Sequence, residues 1–366
     1  MFCDSATVAY RKKGIDPSTG KHYKPYFFSR FKGDDRIKYL YESCPDGHEA
    51  LLLPCGKCML CTRRYRLHWV LRCIHELHYY DQACYLTLTV DDAHIDDVFP
   101  KLPGSDWNSL THVPFQKFMK RLRIRLQRGI EVITPVFRLD QDQTRSIYSK
   151  IEYKGETGKP LRFYMCGEYG DLTHRPHYHA ILFGFYPPDS LPLAGSKLEV
   201  SRLLADVWPY GFHTVARVEP NCISYVAGYV DKKMDNARLS WALNTVAPEY
   251  VTMSRGCSKL GTGGLGKSFF EEFSSEIYPE NQDGTFARDY CIIGKYSRVR
   301  TPRYYDRLLE LRVPEKYARL VAFREEVAVS RGASFSLADW LNESHRRNAV
   351  AVVRRRQRDP GVSMPG

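Results

Sequence analysis

Two histidines separated by one residue, His177 and His179, are the side chains of this sequence best suited to hold a metal ion. Successive side chains of a strand point to opposite faces, so the two imidazoles would share one face while Tyr178 points the other way. Further along, Tyr225 and Tyr229 are four residues apart, a spacing that in a helix places both phenols on one side. The pattern predicts a metal ion beside two nucleophiles, a combination suited to two successive attacks on a phosphodiester.

Both motifs also have plainer interpretations. An H-x-H motif arises by chance in a chain with 12 histidines and then marks only a polar strand end. With 25 tyrosines in 366 residues, a pair at helical spacing also fits ordinary packing. Lys232 and Lys233, one turn beyond the tyrosines, are candidates to contact the scissile phosphate, or they form a charged helix end. The order and spacing of the motifs together favour chemistry.

The chain carries an excess of positive charge, with 54 Lys and Arg against 42 Asp and Glu and a formal net charge of +12. Such a charge favours a polyanionic partner, and nucleic acid is the first candidate. No apolar run approaches the length of a membrane span, and residues 1–13 lack a secretion signal. We therefore expect a cytoplasmic protein without a membrane partner.

The 11 cysteines are odd in number and irregularly spaced, which argues against a secreted disulfide framework. Cys55, Cys58 and Cys61 form a C-x-x-C-x-x-C run. With Cys44 or Cys73 they would supply the four ligands of a structural zinc site. The alternative is a set of reduced thiols at the start of a helix.

Hydrophobic periodicity and turn residues predict the elements that position these motifs. Proline at position 114 opens one of the helices, and the polar stretch over residues 141–160 predicts a loop or hairpin insertion. The other predicted elements are a helix over 63–79, strands over 83–90, 161–168, 177–185 and 212–218, helices over 198–208 and 220–233, helices over 304–311, 314–331 and 337–347, and a flexible tail over 354–366.

Two surfaces of these elements are suited to contact DNA. In the strand over 83–90, alternation places Tyr85, Thr87 and Thr89 on a polar face that we expect to line a DNA groove. The helix that Pro114 opens has an apolar side toward a sheet and a dense basic side. The candidate DNA contacts on the basic side are Lys117, Lys120 and Arg121.

Strand, helix, strand, strand, helix, strand is the ferredoxin-like order, which forms an antiparallel sheet. We therefore predict an α+β protein with a ferredoxin-like core and the tyrosine helix in residues 81–235. Residues 1–80 are expected to form an N-terminal arm, the cysteine cluster and a helix that packs on this core. Residues 236–366 are expected to form a mostly helical C-terminal region with a basic tail.

The segment from Cys166 to His179, CGEYGDLTHRPHYH, and the segment from Tyr225 to Lys233, YVAGYVDKK, together resemble the HUH-type rolling-circle replication initiators. The similarity is greatest to initiators of the microviruses, single-stranded DNA phages, and particularly to the gokushovirus branch. Residues 86–89 are similar to the first motif of this family and residues 301–309 to its Pro-Arg-Tyr-Tyr-Asp segment. The resemblance thus covers most of the chain.

The resemblance implies an HUH endonuclease core that holds Mg²⁺ or Mn²⁺ through His177 and His179. A third, oxygen ligand is expected because these ions prefer carboxylates. Glu168 is our choice, since related initiators carry an acidic ligand at a similar offset. The rival ligands are His174 and Asp171, and the alternative role of Glu168 is to pair with Arg175. In this family the residue between the two histidines is usually bulky and apolar, so Tyr178 is expected to face the core.

The resemblance further implies a metal-dependent enzyme that nicks and joins single-stranded DNA through a 5′-phosphotyrosyl intermediate. Tyr225 and Tyr229 would act in turn, to initiate and to terminate rolling-circle replication of a phage genome. The expected partners are origin DNA, a host helicase and a DNA polymerase in the host bacterial cytoplasm. A non-catalytic single-stranded nucleic-acid-binding protein is the alternative function, and a relaxase that mobilises DNA would share the chemistry.

Overall fold

A computed structural model of the chain describes residues 3, 6–18, 21–27, 34–136, 147–153, 159–219, 223, 226–228, 245–256, 263–293, 297–332 and 337–358. The chain divides into two compact units. The smaller unit comprises residues 1–65, 278–290 and 306–366, and the larger unit comprises residues 66–277 and 291–305. Among the described helices, none combines the length and apolar character that crossing a membrane requires. The three-part division at residues 80 and 235 stays a prediction.

The elements are numbered here in chain order. The strands are β1 Thr7–Lys12, β2 Ile15–Asp16, β3 Lys21–His22, β4 Tyr26–Phe27, β5 His48–Leu53, β6 Ala83–Leu88, β7 Ile130–Val136, β8 Ile147–Tyr153, β9 Arg162–Tyr169, β10 Pro176–Phe183, β11 Leu191–Pro192, β12 Glu199–Val200, β13 His213–Arg217, β14 Tyr250–Met253, β15 Tyr290–Ile293 and β16 Ser297–Arg300. The helices are α1 Asp34–Glu42, α2 Met59–Leu77, α3 Ile95–Val98, α4 Val113–Arg128, α5 Arg202–Val207, α6 Lys267–Ile277, α7 Arg303–Arg312, α8 Pro314–Gly332 and α9 Leu337–Arg358.

The larger unit is built on an antiparallel sheet of seven strands in the order β11-β12-β13-β6-β10-β9-β14. The chain enters this sheet at β6, crosses through α4, forms the β9–β10 hairpin, and returns through α5 to β13. The protein is therefore a mixed α and β structure with a large antiparallel sheet, as the order of predicted elements indicated.

Both faces of this sheet are covered, because its central strands bury apolar side chains on each side. On β6, Leu86 and Leu88 are fully buried in a first core that includes the apolar faces of α4 and α5. On β10, Ile181 and Phe183 are fully buried in a second core, where α2 contributes Trp69 and neighbouring residues. The strict alternation of a strand thus assigns each side chain of β6 and β10 to one of two differently covered faces.

Two predicted elements of the larger unit differ from the observed ones. The helix predicted over 198–208 begins only at Arg202, because Glu199–Val200 pair as strand β12 and the Ser201 hydroxyl accepts a hydrogen bond from Leu204 N at 3.1 Å, capping the helix. The predicted insertion is a hairpin, but its strands already begin at Ile130 and pair as β7 with β8.

The smaller unit contains a three-stranded sheet, β4-β1-β5, where the sequence had suggested an extended arm. Its core is formed by Val8 and Tyr10 of β1, Ile37 and Leu40 of α1, and Leu341 of α9. The Tyr10 hydroxyl donates to the Leu40 carbonyl, which ties the strand to the helix. The tail predicted from residue 354 was wrong in part, since α9 continues to Arg358.

Candidate metal centre

The β9–β10 hairpin brings one carboxylate opposite the two histidines. In its antiparallel register His177 pairs directly with Glu168, and His179 lies two residues further on the same face. The tight turn between the strands sets this register: Gly170 N donates to Arg175 O at 3.0 Å, and His174 adopts a left-handed conformation with φ of 53°. A single local hairpin therefore assembles three candidate ligands.

The three side chains converge on one point. Nε2 of His177 lies 2.8 Å and Nε2 of His179 lies 3.1 Å from the same oxygen, Oε1 of Glu168. Glu168 and His179 are buried, with 5% and 7% of their surface exposed, while His177 is more open. These separations are close to the ~3 Å between neighbouring ligands around a small divalent ion with bonds of about 2.1 Å.

The hydrogen bonds of His177 indicate that the cluster needs a cation. Its Nδ1 lies 3.1 Å from the backbone carbonyl of Arg175, which can only accept, so Nδ1 carries the proton. In the neutral ring Nε2 then presents a lone pair to the Glu168 carboxylate. Two acceptors in contact repel each other unless a proton or a metal ion lies between them. Two imidazoles and one carboxylate are also a donor set that fits Mn²⁺ or Mg²⁺ and leaves positions for water and a phosphate oxygen.

His179 is oriented by the neighbouring strand β6. Its Nδ1 is hydrogen-bonded to the Tyr85 hydroxyl at 2.6 Å and to Thr87 Oγ1 at 3.0 Å, and the Tyr85 ring stacks on the imidazole at 5.7 Å between centroids. These contacts leave Nε2 aimed at Glu168. The sequence predicted that Tyr85 and Thr87 line a DNA groove; the structure places both hydroxyls on His179. Thr89, the third member of that prediction, donates its hydroxyl to the Phe212 carbonyl.

The rival ligands lie elsewhere. The group of ligand atoms that all lie within 4.8 Å of one another contains Glu168, His177 and His179, and in the described chain neither His174 nor Asp171 joins it. The His174 ring contacts Trp107 edge-on at 5.5 Å, and Asp171 is exposed in the turn. Of the open choices for the third ligand, the geometry favours Glu168.

Two further expectations concern side chains beside the cluster. Arg175, the alternative partner of Glu168, is bound instead to the Asp92 carboxylate and to the Val90 carbonyl. Tyr178 faces the first core as expected: it is fully buried, and its hydroxyl donates to the Thr111 carbonyl at 2.6 Å. Burial raises the pKa of Tyr178 well above its usual range, so this phenol stays neutral and has no part in phosphate chemistry.

The predicted nucleophiles Tyr225 and Tyr229, and the lysines Lys232 and Lys233, lie outside the described residues. Their described neighbours are informative. Residues 226–228 are helical, and Ile223, Val226 and Ala227 are buried in the second core with Ile181 and Phe183 of β10. The segment that carries the tyrosine motif therefore has its described residues on the same face of the sheet as His177 and His179.

The basic helix lies on the opposite face. The apolar side of α4 is buried in the first core, whereas the histidine cluster is on the side of the second core. Lys117 and Lys120 are exposed on the outer side of α4, and Arg121 packs over the Tyr210 ring and donates to its hydroxyl at 3.2 Å. As contacts to DNA bound at the metal centre, Lys117, Lys120 and Arg121 are therefore corrected: the sheet separates them from it.

The cysteine prediction is corrected at one position. Cys55, Cys58 and Cys61 do lie together, but the fourth thiol is that of Cys3. Cys44 packs beside the core of Val8, Tyr10 and Leu40 instead. Cys73, the alternative, is fully buried in the second core, where burial raises the pKa of its thiol. Cys3 stands some fifty residues before the others in the sequence, so spacing alone offered no signal for it.

The hairpin with its two histidines and one carboxylate, carried on an antiparallel sheet, defines a candidate metal-binding nucleic-acid protein. Residues 83–234 match the family described as replication-associated protein ORF2, and this segment of the chain belongs to that family. The matched segment begins at β6 and includes the whole histidine hairpin.

Two phage proteins are similar over most of the chain. The replication-associated protein VP4 of Bdellovibrio phage phiMH2K is 27% identical over 297 residues, which is 79% of this chain and 78% of that protein. The replication-associated protein ORF4 of Chlamydia phage 1 is 26% identical over 293 residues, covering 76% of this chain and 60% of the relative. No solved structure matches the chain. The resemblance to microvirus replication proteins is thereby confirmed.

Proposed function

We propose that this protein is a metal-dependent endonuclease of single-stranded DNA that nicks and rejoins the origin of a phage genome during rolling-circle replication. The observation that carries the proposal is the convergence of Nε2 of His177 and His179 on one oxygen of Glu168. The similarity to phage replication-associated proteins supports the biological setting. We further propose that the core is a ferredoxin-like HUH fold, which the strand order β13-β6-β10-β9 supports.

In this proposal Glu168, His177 and His179 hold a Mg²⁺ or Mn²⁺ ion. When bound, the ion supplies a Lewis acid that offsets the charge developing on a non-bridging phosphate oxygen. Tyr85 and Thr87 keep His179 in the orientation that presents Nε2, and the Arg175 carbonyl does the same for His177. The fixed hairpin register means that the ligands need no rearrangement to act together.

The covalent step is assigned to Tyr225 or Tyr229. The phenol oxygen of one tyrosine bonds to phosphorus as the bond from phosphorus to the 3′ oxygen breaks; the phenol proton is released and the leaving oxygen takes up a proton. The product is a 5′-phosphotyrosyl link and a free 3′ hydroxyl that a DNA polymerase extends. The second tyrosine cuts the regenerated origin, and the displaced strand is closed by attack of the 3′ hydroxyl on the first link. Lys232 and Lys233 are proposed to contact the scissile phosphate.

The excess of positive charge supports origin DNA as the substrate, since phosphate contacts by Lys and Arg provide most of the affinity for single strands. A host helicase and polymerase are the proposed partners, because a nick supplies a primer end but does not separate strands. The proposed setting is the cytoplasm of the bacterial host.

The test is the formation of a covalent protein–DNA adduct. Purified protein is incubated with labelled single-stranded origin DNA and Mn²⁺, and products are separated on a denaturing gel. We expect an adduct in the wild type and in the single variants Tyr225→Phe and Tyr229→Phe, and none in the double variant. Tyr39→Phe removes an exposed phenol of the smaller unit and serves as the matched control.

Two further reactions complete the test. Glu168→Gln keeps the shape of the side chain, removes its charge, and is expected to abolish the adduct. Metal-independent DNA binding with no adduct from a verified origin would instead support the non-catalytic binding protein.

A further inference from the structure

The four thiols of Cys3, Cys55, Cys58 and Cys61 form a second cluster of metal-ligating side chains, in the smaller unit. The Sγ atom of Cys3 lies 3.8 Å from that of Cys58 and 3.6 Å from that of Cys61. All four sulfur atoms lie within 4.8 Å of one another. These separations are far longer than a disulfide bond of about 2.05 Å. The cluster is therefore a group of four free thiols in mutual contact.

The sulfur separations match a single tetrahedral metal ion. A zinc ion with bonds of about 2.3 Å to four thiolates holds the sulfur atoms ~3.8 Å apart. A cluster of several iron atoms would hold its cysteines further apart than these four stand. Four thiolates around one ion are also the commonest donor set of a closed, structural zinc site, with no position left for water.

The backbone around the cluster is arranged to stabilise negative charge on sulfur. The amide groups of Lys57 and Cys58 donate to Cys55 Sγ at 3.3 and 3.2 Å, and the amide of Cys55 donates to Cys3 Sγ at 3.2 Å. The turn that aims these amides needs a left-handed residue, and Gly56 supplies it with φ of 75°. A merely apolar packing of cysteines would not require amide groups that point at sulfur.

Burial and position exclude an accidental surface group. Cys3 and Cys61 are 1% and 6% exposed, and Ala6 and Leu52 pack beside them. Cys3 precedes β1, Cys55 follows β5, and Cys58 and Cys61 stand at the start of α2. An ion bound here would link three elements whose ends are 52 to 58 residues apart along the chain.

We propose that Cys3, Cys55, Cys58 and Cys61 bind one structural Zn²⁺ ion that fastens β1 to β5 and to the start of α2. This site is separate from the proposed nicking chemistry and does not depend on it. Because the ligands must be deprotonated and brought together, the binding free energy of the metal contributes directly to folding of the smaller unit. Cys3 is the ligand that joins the beginning of the chain to the rest of the site.

Metal content is the first test. The full chain carrying His177→Ala and His179→Ala, which disables the other candidate site, is purified without added zinc and analysed by mass spectrometry. We expect one zinc per chain, retained in Cys44→Ser and lost in Cys58→Ser. Cys44 is the matched control because it is half-buried in the same unit and lies outside the cluster. Zinc retained in Cys58→Ser, or no metal in the parent chain, would overturn the proposal.

Since a cysteine variant can lose zinc by failing to fold, a second measurement uses the intact ligands. Replacement of zinc by Co²⁺ should give the intense thiolate charge-transfer and tetrahedral d–d absorption bands of a four-sulfur site. A strong chelator should then expose four additional thiols to a thiol reagent. A six-coordinate cobalt spectrum, an iron spectrum in the purified chain, or four thiols that react fully before chelation would each refute a zinc tetrathiolate.

Discussion

The Tyr85 hydroxyl lies 2.6 Å from Nδ1 of His179, and the two rings stack in nearly parallel planes 12° apart. The contact joins β6 to β10 and fixes which imidazole nitrogen faces Glu168. A hydroxyl on the far nitrogen of a metal-binding imidazole holds the ring in place and raises its basicity. Tyr85 is therefore a positioning residue for the proposed metal centre.

Tyr85→Phe should weaken metal binding by on the order of 10-fold while leaving the three ligands in place. The loss is limited because Thr87 also contacts Nδ1 of His179, so Tyr85→Phe with Thr87→Val should lose more. Mn²⁺ titration by calorimetry measures both affinities. Tyr186→Phe, whose hydroxyl contacts Glu199, is the control for loss of a phenol hydroxyl. Unchanged Mn²⁺ affinity in the double variant would show that these hydroxyls have no part in orienting His179.

The position of α4 predicts that its lysines are dispensable for nicking. Lys117→Glu combined with Lys120→Glu reverses charge on the outer side of a helix that covers the opposite face of the sheet from His177. With a short origin oligonucleotide at moderate salt, we expect the rate of adduct formation to stay within about twofold of the wild type, because exposed charges beyond a Debye length are largely screened. A rate that falls as far as in Glu168→Gln would place DNA across that face instead.

A buried ion pair in the larger unit should carry a large part of its stability. Arg162 Nη1 lies 2.8 Å from Glu76 Oε1, with side chains 8% and 4% exposed, and Glu76 also accepts from Gly266 N at 2.7 Å. Burial raises the pKa of Glu76, and the charge of Arg162 opposes that shift. Arg162→Met should lower the free energy of unfolding by about 3–5 kcal/mol, because it leaves a carboxylate buried without its partner.

Chemical denaturation with a double variant separates this cause from lost packing. Arg162→Met with Glu76→Gln removes the unpaired charge and should recover part of the loss. Arg11→Met breaks the more exposed pair with Glu49 and should cost no more than about 1 kcal/mol. A double variant as unstable as Arg162→Met would attribute the whole cost to packing of the arginine.

His75 should make stability depend on pH. Burial lowers the pKa of His75 to about 4, where its ring stacks on Phe269 and contacts the Tyr305 hydroxyl at 2.9 Å. The unfolded chain, with a histidine pKa of about 6.5, then takes up a proton that the folded chain does not. Stability is therefore full above about pH 6.5 and is lost as the pH falls toward 4, by about 3 kcal/mol in total.

Urea denaturation of wild type and His75→Gln between pH 7.5 and 4.5 checks this. The difference in unfolding free energy between them should shrink as the pH falls, since glutamine does not titrate. His94→Gln, which replaces an exposed imidazole, should follow the wild-type profile closely. A constant difference between wild type and His75→Gln across the range would rule out His75 as the source.

The sequence by itself determined the parts of the site that depend on local structure. His177, His179 and Glu168 lie within one hairpin, so strand alternation and a short turn suffice to bring them together. Tyr178 was assigned to the core by the same alternation, and the order of elements indicated an antiparallel sheet. These inferences hold because each depends on residues fewer than a dozen positions apart or on a pattern within one element.

Tertiary structure alone decided the rest, because those contacts depend on pairings between distant segments. The register of β6 against β10 places Thr87 opposite His179 and turns two expected DNA contacts into supports of a ligand. The amphipathic pattern of α4 showed which side of the helix is buried, but not which face of the sheet buries it. Cys3 joins thiols more than fifty residues away only because β1 pairs with β5, whereas the nearer Cys44 is held in another core. Spacing along the chain carries no information about such meetings, since they are set by how the packed elements close on one another.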